Sequence, residues 1–203
     1  SSMKEVLNVN KEQIENSDIL ERLNIEKGKY FVLSAHREEN VDNPKNFKAL
    51  MESINAVAET YKMPIIFSAH PRTRKKIEAE GIKFNELVKY MKPLGFNDYN
   101  KLQKNAFCVI SDSGTITEES SIMGFPAITI RQAHERPEGM DEGTLIMSGV
   151  DKEGVLDAIK VATTQDSKPR IVSDYDVDYV GIKMVKIIMS YTDYVNRTVW
   201  RRY

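Results

Sequence analysis

Short apolar runs separated by longer amphipathic stretches are the sequence feature that most limits the possible folds of this chain. From Tyr30 onward these runs recur, and polar residues bound each of them. Repeated units of one strand and one helix produce this alternation, and such units form a parallel sheet covered by helices. The pattern predicts strands over 30–35, 64–69, 107–112, 126–130 and 144–147.

The stretches between the strands carry apolar residues at helical spacing. Residues 44–61 place six of them on one face, namely Phe47, Leu50, Met51, Ile54, Val57 and Ala58, and residues 155–161 repeat the pattern. We therefore predict a single α/β domain over 29–175 with a doubly wound, Rossmann-like parallel sheet. A polar lead-in over 1–28 precedes it, and a helical tail over 176–203 follows.

Charge and cysteine content exclude several classes of partner. The 203 residues include 29 basic and 30 acidic side chains, a net charge of -1, which argues against a nucleic-acid or anionic-membrane surface. The single cysteine, Cys108, excludes an internal disulfide and fits the cytoplasm as a buried thiol. No apolar run approaches the roughly 20 residues of a membrane span. The predicted partners are small molecules or proteins.

Polar clusters follow three of the predicted strands, over 34–40, 68–73 and 131–138. They contain all three histidines of the chain, His36, His70 and His134. Because ligands of open parallel sheets bind beyond the carboxyl ends of the strands, these clusters predict a functional site.

The run Asp112-Ser113-Gly114-Thr115-Ile116-Thr117-Glu118-Glu119 follows a further predicted strand. A strand, a tight turn with small residues and a helix start let backbone N–H groups contact a phosphate. Glu118 and Glu119 follow within about two turns, where a carboxylate can accept a hydrogen bond from a sugar hydroxyl. The run predicts a ligand that joins a phosphate to a sugar.

Structural roles compete with each of these assignments. Ser113 and Thr115 suit a helix cap, and Glu118 and Glu119 suit the positive end of a helix dipole. Arg136 suits a carboxylate partner nearly as well as a phosphate. His36 suits a hydrogen bond to its own loop, Arg37 a surface ion pair with Glu38, and His70 a turn into the next helix.

Other chemistries lack their motifs. The histidines and acids do not have the close spacing of metal ligands, so no metal is predicted. The sequence has neither a Walker lysine nor a G-x-G-x-x-G run, which disfavours nucleoside triphosphate hydrolysis and nicotinamide cofactors. Ser113 does not lie in a G-x-S-x-G elbow, so a serine hydrolase is also disfavoured.

The chain resembles the C-terminal domain of the non-hydrolysing UDP-N-acetylglucosamine 2-epimerase family. The resemblance spans about 30–157 and rests on four motifs in the family's order: His36-Arg37-Glu38, His70-Pro71, Asp112-Ser113-Gly114 with Glu118-Glu119, and Glu135-Arg136-Pro137-Glu138 followed by Gly143-Thr144. It implies a GT-B architecture, in which two Rossmann-like domains bind UDP-sugar between them and this chain is the second.

The resemblance also implies residue roles. The helix start at Ser113, Gly114 and Thr115 holds the UDP phosphates, and Glu119 binds the ribose. Arg136 contributes to phosphate or sugar, Tyr99 lies near the uracil from a loop over 95–99, and His36 is an active-site residue. Arg37, His70 and Glu118 are further candidates.

The implied reaction inverts C2 of the hexosamine through elimination and re-addition of UDP, without a cofactor. Most of the acid and base carboxylates would lie in an N-terminal domain that this chain lacks and that its C-terminal tail would contact. The resemblance further implies a homodimer of the full-length enzyme, and the fragment alone is expected to be inactive.

Details of the motifs favour one branch of the family. The first motif reads His36-Arg37-Glu38-Glu39-Asn40, where many members have a second arginine, and Thr115 follows Asp112-Ser113-Gly114, where a further glycine is usual. This resembles the capsule and O-antigen branch, which converts UDP-2-acetamido-2,6-dideoxy-L-talose into UDP-N-acetyl-L-fucosamine. Half of a GT-B glycosyltransferase and a non-catalytic nucleotide-sugar binding module remain alternatives.

Overall fold

A computed structural model describes residues 1–133, 136–164 and 170–202. Its centre is a six-stranded, wholly parallel sheet with strand order β3-β2-β1-β4-β5-β6. This is the strand order of the Rossmann fold. Strands β2 and β3 are added on one side of β1, and β4, β5 and β6 are added on the other side. The strands are β1 Phe31–Ser34, β2 Ile65–Ser68, β3 Val88–Met91, β4 Cys108–Ser111, β5 Ala127–Thr129 and β6 Ile146–Met147.

Eleven helices accompany the sheet in the described part of the chain. They are α1 Ser2–Val9, α2 Lys11–Glu15, α3 Ile19–Leu23, α4 Glu38–Val41, α5 Pro44–Tyr61, α6 Pro71–Ala79, α7 Phe96–Asn105, α8 Ile116–Met123, α9 Glu138–Asp141, α10 Lys152–Thr163 and α11 Val180–Thr198.

Each face of the sheet has its own hydrophobic core. Phe31 and Leu33 of β1 point to a core shared with α5, α6 and α10, whereas Val32 points to a core shared with α3, α7 and α8. Side chains of a strand alternate between faces, so a strand buried on both sides reads as the continuous apolar run found in the sequence. The predicted doubly wound parallel sheet is confirmed.

Five of the six strands coincide with predicted ones to within a residue or two at each end. The edge strand β3 is missed, because Lys89 and Tyr90 are exposed and the strand lacks an apolar run. Helix α5 has the predicted bounds, and α10 extends beyond the predicted 155–161. Cys108 is buried as predicted, and burial raises the pKa of its thiol to about 12.

The two ends of the chain are helical. The segment over 1–28 forms α1, α2 and α3, of which α2 and α3 pack on α7 while α1 packs on α8. Ile19 of α3 is fully buried in the second core. Near the C-terminus, α11 has no buried residue. Within the described residues, none of the helices combines the length and hydropathy that crossing a membrane requires.

Candidate functional site

The candidate site lies where the carboxyl ends of β1 and β4 meet. These central strands pair in register, Leu33 beside Ile110 and Ser34 beside Ser111. The loop after β1, residues 35–37, and the loop after β4, residues 112–115, therefore leave the sheet side by side. This is the switch point at which Rossmann-like sheets bind ligands.

Asp112 joins the two loops. Its carboxylate is fully buried and accepts hydrogen bonds from the backbone N–H groups of His36 (2.9 and 3.1 Å) and Arg37 (2.9 Å). Asn40 Nδ2 donates to Asp112 Oδ2 at 3.2 Å, and His36 Nδ1 lies 3.0 Å from Asp112 Oδ1. The sequence prediction gave Asp112 and Asn40 no separate role, although an acid directly after a buried strand was a signal for one.

The β4–α8 loop has the small-residue turn that the sequence predicted. Ser113 Oγ and Thr115 Oγ1 lie 3.0 Å apart, and Ser113 Oγ also accepts from the Thr115 backbone N–H at 3.4 Å. Thr115 precedes the first residue of α8 without a side-chain cap to that helix. The start of α8 thus faces the site with its backbone donors and its positive dipole end.

Two arginines lie against Gly114. A Cβ atom at this glycine would be 2.6 Å from Arg136 Nη1 and 3.5 Å from Arg37 Nη2. Glycine is therefore required for the approach of the Arg136 guanidinium to the backbone. Two guanidiniums beside a helix N-terminus form a site of positive potential that suits a phosphate.

Glu118 and Glu119 have different environments. Glu118 Oε2 lies 3.6 Å from Arg136 Nη2. Glu119 is 7 % exposed and accepts a hydrogen bond from Gln103 Nε2 at 2.9 Å. Burial, assisted by the charge of Glu118 and opposed by a hydrogen bond from Thr115, raises the pKa of Glu119 to about 7. Glu119 is thus a buried carboxyl group that a hydroxyl-bearing ligand would help to keep ionised.

Tyr99 lies on helix α7, so its expected place in a loop over 95–99 is wrong. The residues that were read as a loop begin a helix at Phe96, with Gly95 as the N-cap. Burial, followed by the charge of Glu119, raises the pKa of the Tyr99 hydroxyl. Tyr99 and Gln103 of α7 therefore share the environment of Glu119. Gln103 is 1 % exposed and was missed, because nothing in its sequence neighbourhood marks it as a site residue.

His70 and His134 do not contribute described contacts to this site. His70 caps its own helix, since its Nδ1 accepts from the Arg72 backbone N–H at 3.4 Å. His134 and Glu135 lie outside the described residues. Within the described ranges, the acids, histidines and cysteine form no cluster that could hold a metal ion.

A second wall of the site begins at the end of β5. Arg131 is 8 % exposed, and its Nε donates to Glu39 Oε1 at 3.2 Å. Thr129 is buried, and its hydroxyl has no hydrogen-bond partner among the described residues. Both line a pocket whose walls also include Ser113, Gly114, Thr117, Arg136, Met140 and Leu145. Arg131 was part of a predicted cluster but was not singled out.

The site has three regions, two along α8 and one in the loop after β1. The helix start, with Arg37 and Arg136, provides positive potential for an anion. The face of α8 that carries Glu119 provides a buried carboxyl group beside Tyr99 and Gln103. His36, with 41 % of its side chain exposed, provides an imidazole at the open end of the β1 loop. Such an arrangement suits a ligand with a phosphate, hydroxyl groups and a reacting centre nearby.

Known proteins are similar to this chain in sequence and in fold. The family model described as UDP-N-acetylglucosamine 2-epimerase matches residues 1–189. A UDP-N-acetylglucosamine 2-epimerase of Methanococcus maripaludis is 40% identical over 136 residues, which cover 65% of this chain and 37% of the relative.

Two solved structures extend the likeness to at least 94% of the chain. The structure of UDP-N-acetylglucosamine 2-epimerase from Rickettsia bellii has a TM-score of 0.88 at 44% identity and covers 100% of this chain and 55% of that chain. The enzyme of Methanocaldococcus jannaschii, solved in complex with UDP-GlcNAc and UDP, has a TM-score of 0.84 at 30% identity and covers 94% of this chain and 53% of that chain. The chain therefore spans little more than half of these solved relatives.

Proposed function

Because the chain belongs to the UDP-N-acetylglucosamine 2-epimerase family, we propose that it is the UDP-binding, C-terminal half of a GT-B UDP-N-acetylhexosamine 2-epimerase. The observation that carries this proposal is the α8 start, where Gly114 admits the guanidinium of Arg136 and where Glu119 is buried one turn further along. The complex of the Methanocaldococcus relative with UDP-GlcNAc and UDP supports the choice of ligand.

The diphosphate binds the β4–α8 loop in this proposal. Ser113, Gly114 and Thr115 hold its oxygens, and Arg136 and Arg37 supply positive charge. Charge-assisted hydrogen bonds of this kind are about twice as strong as neutral ones. The same contacts stabilise UDP as a leaving group, since negative charge grows on the diphosphate when its bond to the sugar breaks.

The nucleoside binds along the other side of α8. Glu119 accepts hydrogen bonds from the ribose hydroxyls, and Tyr99 lies beside the uracil. An ionised carboxylate is the better acceptor, so UDP binding favours loss of the Glu119 proton. Glu118 is a weaker candidate for the ribose, because its carboxylate pairs with Arg136.

His36 is the catalytic candidate of this half. In the proposed reaction a base removes the C2 proton while the C1–O bond breaks, so a double bond forms between C1 and C2 and UDP departs with the electron pair. UDP then adds back to C1 as C2 is protonated on its opposite face. His36 lies at the open end of the site, where it would meet the diphosphate and hexose. Carboxylates of an N-terminal half would perform most of the proton transfers.

We further propose the domain arrangement that follows from this role. Residues 29–175 form the UDP-binding domain, 1–28 belong to an interdomain segment, and 176–203 cross to the N-terminal half. The exposed Ile182, Ile188 and Met189 of α11 support such a contact. The full-length enzyme is a cytoplasmic homodimer in this proposal.

The hexose is proposed to be a 6-deoxy sugar of a bacterial surface polysaccharide, on the grounds of the motif His36-Arg37-Glu38-Glu39-Asn40 and of Thr115 after Asp112-Ser113-Gly114. A 27% identical relative of Pseudomonas aeruginosa, named UDP-2,3-diacetamido-2,3-dideoxy-D-glucuronate 2-epimerase, indicates that the family accepts more than one hexosamine. Product analysis with UDP-N-acetylglucosamine and UDP-2-acetamido-2,6-dideoxy-L-talose distinguishes the branches.

Activity measurements test the proposal. The 203-residue chain is expected to show no epimerase turnover, whereas the chain extended by the upstream coding sequence is expected to epimerise C2 of a UDP-hexosamine. His36→Ala in the extended protein should lower kcat far more than it weakens substrate binding. Turnover by the 203-residue chain, or loss of binding without loss of kcat in His36→Ala, would contradict it.

A further inference from the structure

We propose that Asp112 is a positioning residue, which fixes the His36 imidazole with its proton on Nδ1 and its lone pair on Nε2. The placement rests on the geometry of the site, and its catalytic meaning rests on the proposed function of His36. Asp112 is fully buried and would act through the histidine.

The contacts of the Asp112 carboxylate determine the tautomer of His36. Its Oδ2 accepts from the His36 N–H (2.9 Å), the Arg37 N–H (2.9 Å) and Asn40 Nδ2 (3.2 Å). Its Oδ1 also accepts from the His36 N–H, at 3.1 Å, and lies 3.0 Å from Nδ1 of the His36 ring. A carboxylate can only accept, so Nδ1 must donate in the neutral imidazole. Nε2 is then an acceptor on the opposite side of the ring.

The surroundings hold this pair rigid. Asn40 is fully buried and also donates to the Ile130 carbonyl oxygen at 2.9 Å, which ties the β1 loop to the end of β5. Thr73 Oγ1 donates to the Ala35 carbonyl oxygen at 2.9 Å from the other side. The backbone on both sides of the His36 attachment is therefore fixed, and only the ring orientation remains for Asp112 to set.

His70 provides an internal reference with the opposite arrangement. Its Nδ1 accepts from the Arg72 N–H, so its proton lies on Nε2 when the ring is neutral. Free neutral imidazole also favours the Nε2–H form. The two rings should thus have opposite tautomers whenever both are neutral.

Long-range proton–nitrogen correlation spectra of the 203-residue chain test the assignment directly. With the rings neutral, His36 is expected as the Nδ1–H tautomer and His70 as the Nε2–H tautomer, with signals identified by their loss in His36→Asn and His70→Asn. An Nε2–H tautomer at His36 in the wild-type chain would overturn the proposal, whatever any variant does.

The variant Asp112→Asn then tests whether Asp112 sets the tautomer of His36. The amide oxygen can replace Oδ2 toward the backbone N–H groups, while the amide nitrogen faces His36 Nδ1 and converts it to an acceptor. The His36 tautomer should change to Nε2–H, and that of His70 should not. Asp42→Asn is the matched control, because Asp42 pairs with Arg72 rather than with His36. An unchanged His36 tautomer in folded Asp112→Asn would refute the positioning role.

Kinetics of the extended protein separate this inference from the proposed function. Asp112→Asn should lower kcat by about 10²- to 10⁴-fold, the usual contribution of a positioned acid or base, with little change in KM. If the tautomer changes but kcat does not, the catalytic role of His36 fails and the positioning by Asp112 stands. If the tautomer does not change, the positioning itself is wrong.

Discussion

Glu118 and Glu119 are adjacent in the sequence, yet helix α8 gives them different chemistry. Successive helical residues point about 100° apart, so Glu118 reaches Arg136 while Glu119 is directed to α7. One carboxylate is paired with a guanidinium, and the other is buried beside Gln103. The assignment of the ribose to Glu119 came from the family resemblance and stays a prediction, but its environment gives it a physical basis.

Glu119 should make the stability of the protein depend on pH. Its pKa is about 7 in the folded protein against an ordinary 4.5, so ionisation is more costly in the folded state. The unfolding free energy should therefore fall as the pH rises from 4.5 to 7. Relative to wild type, Glu119→Gln should gain roughly 2 to 3 kcal/mol between about pH 5 and about pH 8.

Chemical denaturation of both proteins across this pH range measures the effect. Gln103→Leu is a useful companion variant, because it removes a donor to Glu119. It should extend the fall of the unfolding free energy to higher pH. Parallel pH profiles of wild type and Glu119→Gln would show that Glu119 ionises without cost.

Gly114 should matter for phosphate binding rather than for folding. The Cβ of Gly114→Ala would be 2.6 Å from Arg136 Nη1, at the end of a flexible side chain that can move aside. Loss of this guanidinium should weaken UDP binding roughly tenfold, the value of one charge-assisted hydrogen bond. The affinity for uridine, which has no phosphate, should not change.

Gly181→Ala is the matched control for this substitution. Gly181 lies on α11, where an added Cβ would come no closer than 3.4 Å to another residue, at Glu5 Oε2. Gly181→Ala should leave UDP binding unchanged. Calorimetric titration with UDP and with uridine compares wild type, Gly114→Ala and Gly181→Ala. Equal affinities of Gly114→Ala and wild type for UDP would exclude Arg136 from the phosphate site.

At the scale of elements, α11 differs from every other long helix. It has 19 residues and none of them is buried, whereas α5, of 18 residues, contributes nine buried ones. Most helical stability in proteins comes from packing of an apolar face. With little packing to lose, α11 should open locally at a low free energy.

Hydrogen exchange measures this difference. Amides of α11 are expected to exchange orders of magnitude faster than those of β1 and β4, which should exchange only on global unfolding. Protection of α11 equal to that of the central strands, at dilute protein concentration, would contradict its lack of packing. Protection that rises with concentration would identify self-association through this helix.

The elements also show what the sequence could and could not predict. Four strands are buried on both faces, and their sequences are continuous apolar runs: β1, β2, β4 and β5. The edge strand β3 is partly exposed and has no such run. Residues directly after strands, such as His36 and Ser113, were predicted because parallel strands bring their carboxyl ends together. Gln103 and Asn40 were not, since their roles arise only when separate elements pack.

At the scale of the whole molecule, the sheet order places the candidate site at the carboxyl ends of the two central strands, β1 and β4. The strand ends at β1 and β4 carry His36, Asp112 and the β4–α8 loop. Helix α8 supplies Glu119, and the loop before α9 supplies Arg136. The chain covers 55% of the Rickettsia bellii structure to which it is similar. Binding of UDP is therefore the part of the proposed function that this chain can be tested for by itself.

Calorimetric titration of UDP into wild type and Glu119→Ala tests the central claim most directly, with Glu118→Ala as the neighbouring control. Wild type is expected to bind UDP, and Glu119→Ala at least about tenfold more weakly, because ribose hydroxyls lose a charged acceptor. Glu118→Ala should bind UDP at least as well as wild type, since its loss releases Arg136 from an ion pair. Equal affinities of wild type and Glu119→Ala, or no UDP binding by wild type, would contradict the account.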